Sequence, residues 1–183
     1  MSAYAEQRVL VVGGTSGVGL ATAGEFDHVV VSAGETPMGR VDALPLADAY
    51  AAMASKFWGA YRIPRSVRVR PSGSLTLLAG YLSQRPGRDS ALQSAINAAL
   101  VRGLALEYAP LRVNAVLPGL LRTPLWEGMD VTARERMYEA ATQRLPVGRV
   151  GEAADVAQAV LFVTGNAYAT GTTVYVDGGG TIA

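Results

Sequence analysis

Val12-Gly13-Gly14-Thr15-Ser16-Gly17-Val18-Gly19 follows a short β-branched run, Arg8–Val12 (RVLVV), and leads into Leu20–Ala23, where a helical pattern begins. A strand that ends in glycines and passes into a helix is the context in which such a loop can hold a phosphate. The diphosphate of a dinucleotide must come close to the backbone. Glycine permits positive φ and carries no Cβ to block the approach. Free N–H groups in the first turn of the next helix then face the anion, and Thr15 and Ser16 add hydroxyl donors. Gly13, Gly14, Thr15, Ser16, Gly17, Val18 and Gly19 are therefore candidate cofactor-binding residues. The bland alternative is a glycine-rich turn with no ligand, and the order strand, loop, helix argues against it.

Working outward, His28–Val31 reads as a second buried strand, ended by Ser32-Ala33-Gly34. Ser74–Leu78 reads as a third strand and Arg112–Leu117 as a fourth, stopped by Pro118-Gly119. Thr172–Val176 is the last, before Asp177-Gly178-Gly179-Gly180. Asp48–Tyr61, Ser90–Tyr108, Thr132–Gln143 and Glu152–Val163 carry helical patterns, the third with the capping-box spacing Thr132…Glu135. Strands alternating with helices predict an α/β fold, a Rossmann-type parallel sheet flanked by helices, in a single domain over residues 1–183.

One interval is too short for that fold. Strands one and two should be parallel neighbours, and a return helix covering a strand of about 17 Å needs about 11 residues. Val18–Ala23 supplies only about 9 Å of helix before Gly24. Either the fold is pared down here or a segment is missing between residues 23 and 24.

Composition narrows the function. Half of the 183 residues are hydrophobic, 17% are charged and the formal net charge is +1. That is enough apolar material for a core and no basic excess for nucleic acid. The absence of cysteine excludes disulfides, thiolate metal sites and cysteine nucleophiles. Asp42, Asp48 and Glu107 show no paired-carboxylate or metal spacing, so no metal is expected. No run has the length of a membrane span and no N-terminal stretch has the form of a signal peptide. The expectation is a cytoplasmic protein with neither nucleic-acid nor membrane partners.

The loop, read as Gly13-x-x-x-Gly17-x-Gly19, resembles the cofactor motif T-G-x-x-x-G-x-G of the short-chain dehydrogenases/reductases, with Val12 in place of the threonine. Ser32-Ala33-Gly34 is similar to the end of the family's N-N-A-G element, and Arg112-Val113-Asn114-Ala115-Val116 to its R-V-N-A-V strand. Pro118-Gly119-Leu120-Leu121-Arg122-Thr123-Pro124 is similar to P-G-x-x-x-T-P, and Asp177-Gly178-Gly179 to the terminal D-G-G. The resemblance covers nearly the whole chain and implies a nicotinamide cofactor, NADP(H) or NAD(H), with Ala33 and Gly34 among the cofactor-binding residues and Pro118, Gly119 and Thr123 along the nicotinamide. It implies a hydride transfer to or from a small carbonyl or alcohol, and a homodimer or homotetramer. In relatives Leu125, Trp126 and Met129 would belong to a mobile lid. The unit missing after the glycine loop is the one that selects NADP from NAD, so that choice stays open.

The departures from the family concern catalysis. No Tyr-x-x-x-Lys occurs in the chain, and Gln93 and Asn97 stand where the tyrosine and lysine would be. The serine place falls near Ala79 or Gly80, with Ser83 the nearest hydroxyl downstream. Lys56, the only lysine, takes the asparagine place of N-x-x-G. It could lie near the nicotinamide ribose and relay protons, or be an ordinary exposed helix lysine. Lys56, Ser83 and Asn97 are the candidate catalytic residues. Lys56-Phe57-Trp58-Gly59-Ala60 and Ala95-Ile96-Asn97-Ala98-Ala99 also resemble an unusually short subgroup that lacks the tyrosine–lysine pair. The competing reading is a cofactor-binding sensor or assembly protein without turnover. His28 is expected to be structural, and Arg62, Arg65, Arg68 and Arg70 a solvated face.

Overall fold

The computed structural model describes residues 6–13, 25–34, 36–96 and 100–183. Its strands are β1 (Val9–Val12), β2 (Glu25–Val31), β3 (Arg68–Leu78), β4 (Arg112–Pro118), β5 (Leu121–Arg122), β6 (Gly151–Glu152) and β7 (Thr173–Val176). Five of them form one parallel sheet in the order β1-β2-β3-β4-β7, and β5 pairs with β6 in a small parallel ladder. The helices are α1 (Leu46–Ala52), a π-helix (Met53–Trp58) and α2 (Gly59–Ser66), then α3 (Ala91–Ala95), α4 (Leu100–Glu107), α5 (Val131–Arg144) and α6 (Ala153–Gly165). This is the Rossmann-type sheet flanked by helices that the sequence predicts.

The unit expected to be missing is missing among the described residues. β1 pairs directly with β2, from Val9↔His28 to Val12↔Val31, and no described strand lies outside it. β1 is therefore a sheet edge, and Val9 and Val11 are 45% and 60% exposed. The junction of residues 23 and 24 lies outside the described residues.

β2 and β3 begin earlier than the sequence suggests, because their first residues are charged and read as loop. In the fold those charges pair at the amino ends of the strands: Arg70 meets Glu25 at 3.3 Å and Asp27 at 3.1 Å, and the Asp27 carboxylate accepts the Arg8 N–H at 2.8 Å. That backbone bond and Arg70 hold the Asp27 carboxyl below its usual range. Arg70 stays exposed, as the sequence suggests, and gains these acidic partners. The β2–β3 register slips between Phe26 and His28, where Gly73 runs against the Asp27 carbonyl with no room for a Cβ.

Alternation along the strands separates two faces. Val12, Val29, Val31, Leu75, Leu77, Val113, Ala115 and Leu117 pack with Ala60 and Ile63 of α2 and Val101 and Leu104 of α4. Val116 on the opposite face meets Val156 and Val163 of α6. That face also buries polar groups. His28 Nδ1 lies 2.9 Å from Ser74 Oγ and Nε2 lies 3.0 Å from Gln7 Oε1. Burial, with Arg112 nearby, lowers its pKa, so the ring is neutral near pH 7. The structural reading of His28 holds. The Arg112 guanidinium closes the carboxyl end of α6 through the carbonyls of Val163, Thr164 and Asn166, at 2.9, 2.7 and 2.9 Å, where orphan acceptors favour a cation.

The predicted helix over 48–61 runs on to Ser66 because Ala60 and Ile63 bury against the sheet. The predicted capping box Thr132…Glu135 does not form. α5 starts at Val131, and its N-cap is Asp130, whose carboxylate accepts the Ala133 N–H at 3.0 Å. A carboxylate two residues earlier satisfies an orphan donor and faces the positive helix end. A capping box forms instead at α6, between Glu152 and Asp155. Asp130→Ala is expected to cost about 1 kcal/mol, which calorimetry should register as a midpoint about 3 °C lower.

Candidate functional site

In an open parallel sheet, ligands bind beyond the carboxyl ends of the strands. There β1 runs into Gly13, β2 into Ser32-Ala33-Gly34, β4 into Gly119 and β7 into Asp177-Gly178-Gly179. The Val12 carbonyl accepts the N–H groups of Ser32 and Ala33 at 2.8 and 3.0 Å, which draws the second turn over the first. Gly13 has φ +116, and a Cβ on it would overlap Ala33 N and lie 2.6 Å from Ala33 Cα. Only glycine allows this approach. Gly14, Thr15, Ser16, Gly17, Val18 and Gly19 lie outside the described residues, as does Asn97.

Gly34, with φ +108, repeats the device one layer further on. A Cβ there would stand 2.8 Å from Lys56 Cδ and 3.1 Å from Lys56 Cα. Lys56 sits on the π-helix, a distortion frequent at functional sites. Its half-buried Nζ donates to the Ala33 carbonyl over 3.5 Å, a long bond. No carboxylate pairs with it among the described residues, and burial lowers its pKa from the usual 10.5. The reading of Lys56 as an ordinary exposed lysine is overturned, since the ammonium lies against the Ala33–Gly34 turn.

Gln93 on α3 reaches the same stretch, with its Nε2 donating to the Thr36 carbonyl at 2.6 Å. Ser83 goes elsewhere. It ends a 3-10 turn (Tyr81–Ser83), donates to the Gly80 carbonyl at 3.2 Å, and has no hydrogen bond to Lys56. It lines a cavity of about 280 Å³ with Gln84, Arg102, Leu117, Thr173 and Tyr175. No motif marks that cavity, because its walls come from four separate elements.

The segment Pro118–Thr123 is fixed by its neighbours. Gly119 N–H bonds to the Val176 carbonyl at 2.9 Å, and its Cα faces Asp177 so closely that a Cβ would be 2.7 Å from Asp177 Cα. Arg122 stacks its guanidinium 4.3 Å from the Tyr138 ring centroid and meets Glu135 at 3.6 Å. Half-buried Thr123 caps the 3-10 turn Pro124–Trp126. The Trp126 indole N–H bonds back to the Leu121 carbonyl at 3.1 Å, while Leu125 is 64% exposed. Sequence reasoning missed Arg122 as the clamp, and a lone arginine carries no signal of its partners. Among the described residues no cluster of His, Asp or Glu could hold a metal, and no helix is long and apolar enough to cross a membrane.

The chain has clear relatives. The sequence model of the family described as enoyl-(acyl carrier protein) reductase matches residues 19–181. The short-chain dehydrogenase/reductase ATR9 of Stachybotrys chlorohalonatus is 32% identical over 171 residues, which are 87% of this chain and 65% of that protein. The chain spans less than two-thirds of the length of the first curated relatives it matches. A small-chain dehydrogenase solved in complex with NADPH is 42% identical, with a TM-score of 0.82 over 87% of this chain and 76% of that one. A second solved small-chain dehydrogenase is 34% identical, with a TM-score of 0.83 over 97% of this chain and 100% of that one. Sequence, sheet order and strand-end turns agree: the chain belongs to the short-chain dehydrogenase/reductase family of oxidoreductases.

Proposed function

We propose that this chain is a cytoplasmic, NADP(H)- or NAD(H)-dependent oxidoreductase that moves a hydride between the nicotinamide and a small carbonyl or alcohol. The observation that carries the reading is the stack of Gly13, Ala33, Gly34 and Lys56, two Cβ-free positions and one half-buried ammonium, at the strand ends. The absence of Cβ atoms at Gly13 and Gly34 lets the turns after β1 and β2 and the Lys56 side chain pack against one another at the strand ends, where a dinucleotide would lie. The NADPH complex of the 42%-identical relative supports the same cofactor class. The glycine loop from Gly13 to Gly19 would hold the diphosphate, and Ala33, Gly34, Pro118, Gly119 and Thr123 would line the nicotinamide half. When bound and reduced, the cofactor supplies a hydride to the carbonyl carbon. Lys56 holds the proton that the carbonyl oxygen needs, and takes it back in the reverse direction. Asn97, outside the described residues, is the remaining polar candidate for the substrate oxygen, since Ser83 faces another cavity.

The test is a thermal titration with NADPH and NADH. At a concentration one hundred times Kd the folded state gains about 2.7 kcal/mol, a rise of about 8 °C in a chain of this size. A flat response to both cofactors would sink the reading. The lack of any Tyr-x-x-x-Lys favours a second reading, a cofactor-binding sensor or assembly protein. Cofactor binding without loss of 340 nm absorbance across a carbonyl panel would select it.

Phe57, Trp58 and Tyr61 form one aromatic cluster, with centroids 5.1 to 6.4 Å apart, and Trp58 is 44% exposed. Such a patch on the α1–α2 helix favours a second copy of the chain as partner, in a homodimer or homotetramer. Trp58→Arg is expected to shift the molecular mass measured by light scattering to that of a monomer.

A further inference from the structure

The cavity that Ser83 lines lies apart from the stack at the strand ends, since none of Gly13, Ala33, Gly34 and Lys56 lines it. Its volume is about 280 Å³, near the lower end of small-molecule pockets. On the sheet face that α4 packs, β4 presents Ala115 and Leu117, both buried and apolar. Their partners on β7, Thr173 and Tyr175, carry hydroxyls instead. The aliphatic face thus turns polar where β7 reaches the cavity, which Thr173 and Tyr175 line. The facing helix α4 adds Arg102, one residue after the buried Val101. Among the described residues no acidic side chain lines the cavity, and no carboxylate pairs with Arg102. Arg85, next in the chain to the lining residue Gln84, is committed elsewhere, donating to the Gly180 carbonyl at 3.2 Å. Arg102 therefore supplies the positive charge of the cavity.

We propose that this cavity binds a small hydroxylated oxyanion, a carboxylate or a phosphate monoester, through Arg102. The guanidinium fork matches two oxygens of either group. The hydroxyls of Thr173 and Tyr175 and the amide of Gln84 are neutral donors for the remaining oxygens. Ser83 spends its hydroxyl proton on the Gly80 carbonyl at 3.2 Å, so what it offers the cavity is an acceptor, which suits a hydroxyl of the ligand. A pocket of this size takes a ligand of a few carbon atoms rather than a dinucleotide. The site does not depend on the cofactor reading above and stands or falls by itself.

Wild type, Arg102→Met and Thr173→Val are titrated with glycerate, glycerol 3-phosphate and glycerol, and binding is followed by ligand-observed NMR in a buffer free of phosphate and carboxylate. These probes share one hydroxylated body and differ in the anion. At least one of the two anions is expected to bind wild type with a Kd below about 10 mM, and glycerol about tenfold more weakly or not at all. The tighter of the two anions identifies the oxyanion as carboxylate or phosphate. Arg102→Met should weaken that probe about tenfold or more, the loss of a charge-assisted pair. Thr173→Val removes one hydroxyl, keeps the side-chain shape and should weaken it about threefold. Equal affinity in wild type and Arg102→Met would place the anion elsewhere, the glycine loop included, and overturn the proposal. Glycerol binding as tightly as both anions would overturn it too, as would no saturable binding of either anion up to about 10 mM. Should Arg102→Met fold poorly, Thr173→Val reads the same cavity, and an unchanged affinity there would be equally fatal.

Discussion

Gly13→Val is expected to lower the unfolding midpoint by about 10 °C and to abolish the thermal shift with NADPH and NADH. Two costs combine at this position. The backbone holds φ +116, which L side chains rarely adopt, and a Cβ would overlap the Ala33 amide nitrogen. Strain of this kind costs about 1–3 kcal/mol, and displacing Ala33 also threatens the bonds from Ser32 and Ala33 to the Val12 carbonyl. Relief requires β1 and the Ala33–Gly34 turn to part, which spoils the surface that the cofactor half would share. Differential scanning fluorimetry with and without cofactor reads both effects. A variant of unchanged midpoint that still responds to cofactor would show that the two turns do not depend on each other.

Lys56→Met is expected to do the reverse: keep the fold and the cofactor, and lose between about 100-fold and 10,000-fold in turnover, the range of a general acid. Burial lowers the Lys56 pKa from 10.5. Carbonyl reduction needs the protonated form, so the wild-type rate should fall as pH rises through the lowered pKa, and this limb should vanish in Lys56→Met. Stability moves the other way. Between the folded pKa and 10.5 the unfolded chain holds more protons, so wild-type stability rises with pH through that window. Below it the whole cost of burying the ammonium is present. Methionine removes that cost, so the variant should melt no lower than wild type near pH 7 and should lose the slope. Turnover within threefold of wild type would remove Lys56 from the chemistry.

Much of the fold was legible because parallel strands buried on both faces must be short apolar runs, as HVVV and RVNAVL are. The missing unit was legible from chain length alone, since a helix cannot cover a strand in six residues. What failed to show was whatever depended on partners distant in sequence. The starts of β2 and β3 carry charges that are satisfied only when Glu25, Asp27 and Arg70 come together. Asp130 displaced Thr132 as cap because the helix began one residue earlier than its periodicity suggested. Ser83 has the right residue type for the site, yet its turn directs it to another cavity.

The sequence by itself determined that a strand runs into a glycine-rich stretch, that the tyrosine–lysine pair is absent, and that the sheet is short. Each is a matter of residue type and spacing along one chain. Only the tertiary structure decided that the single ammonium goes to the Ala33 carbonyl and the Gln93 amide to the Thr36 carbonyl. Both depend on the π-helix and α3 reaching the stretch that follows β2, a meeting that no local pattern encodes.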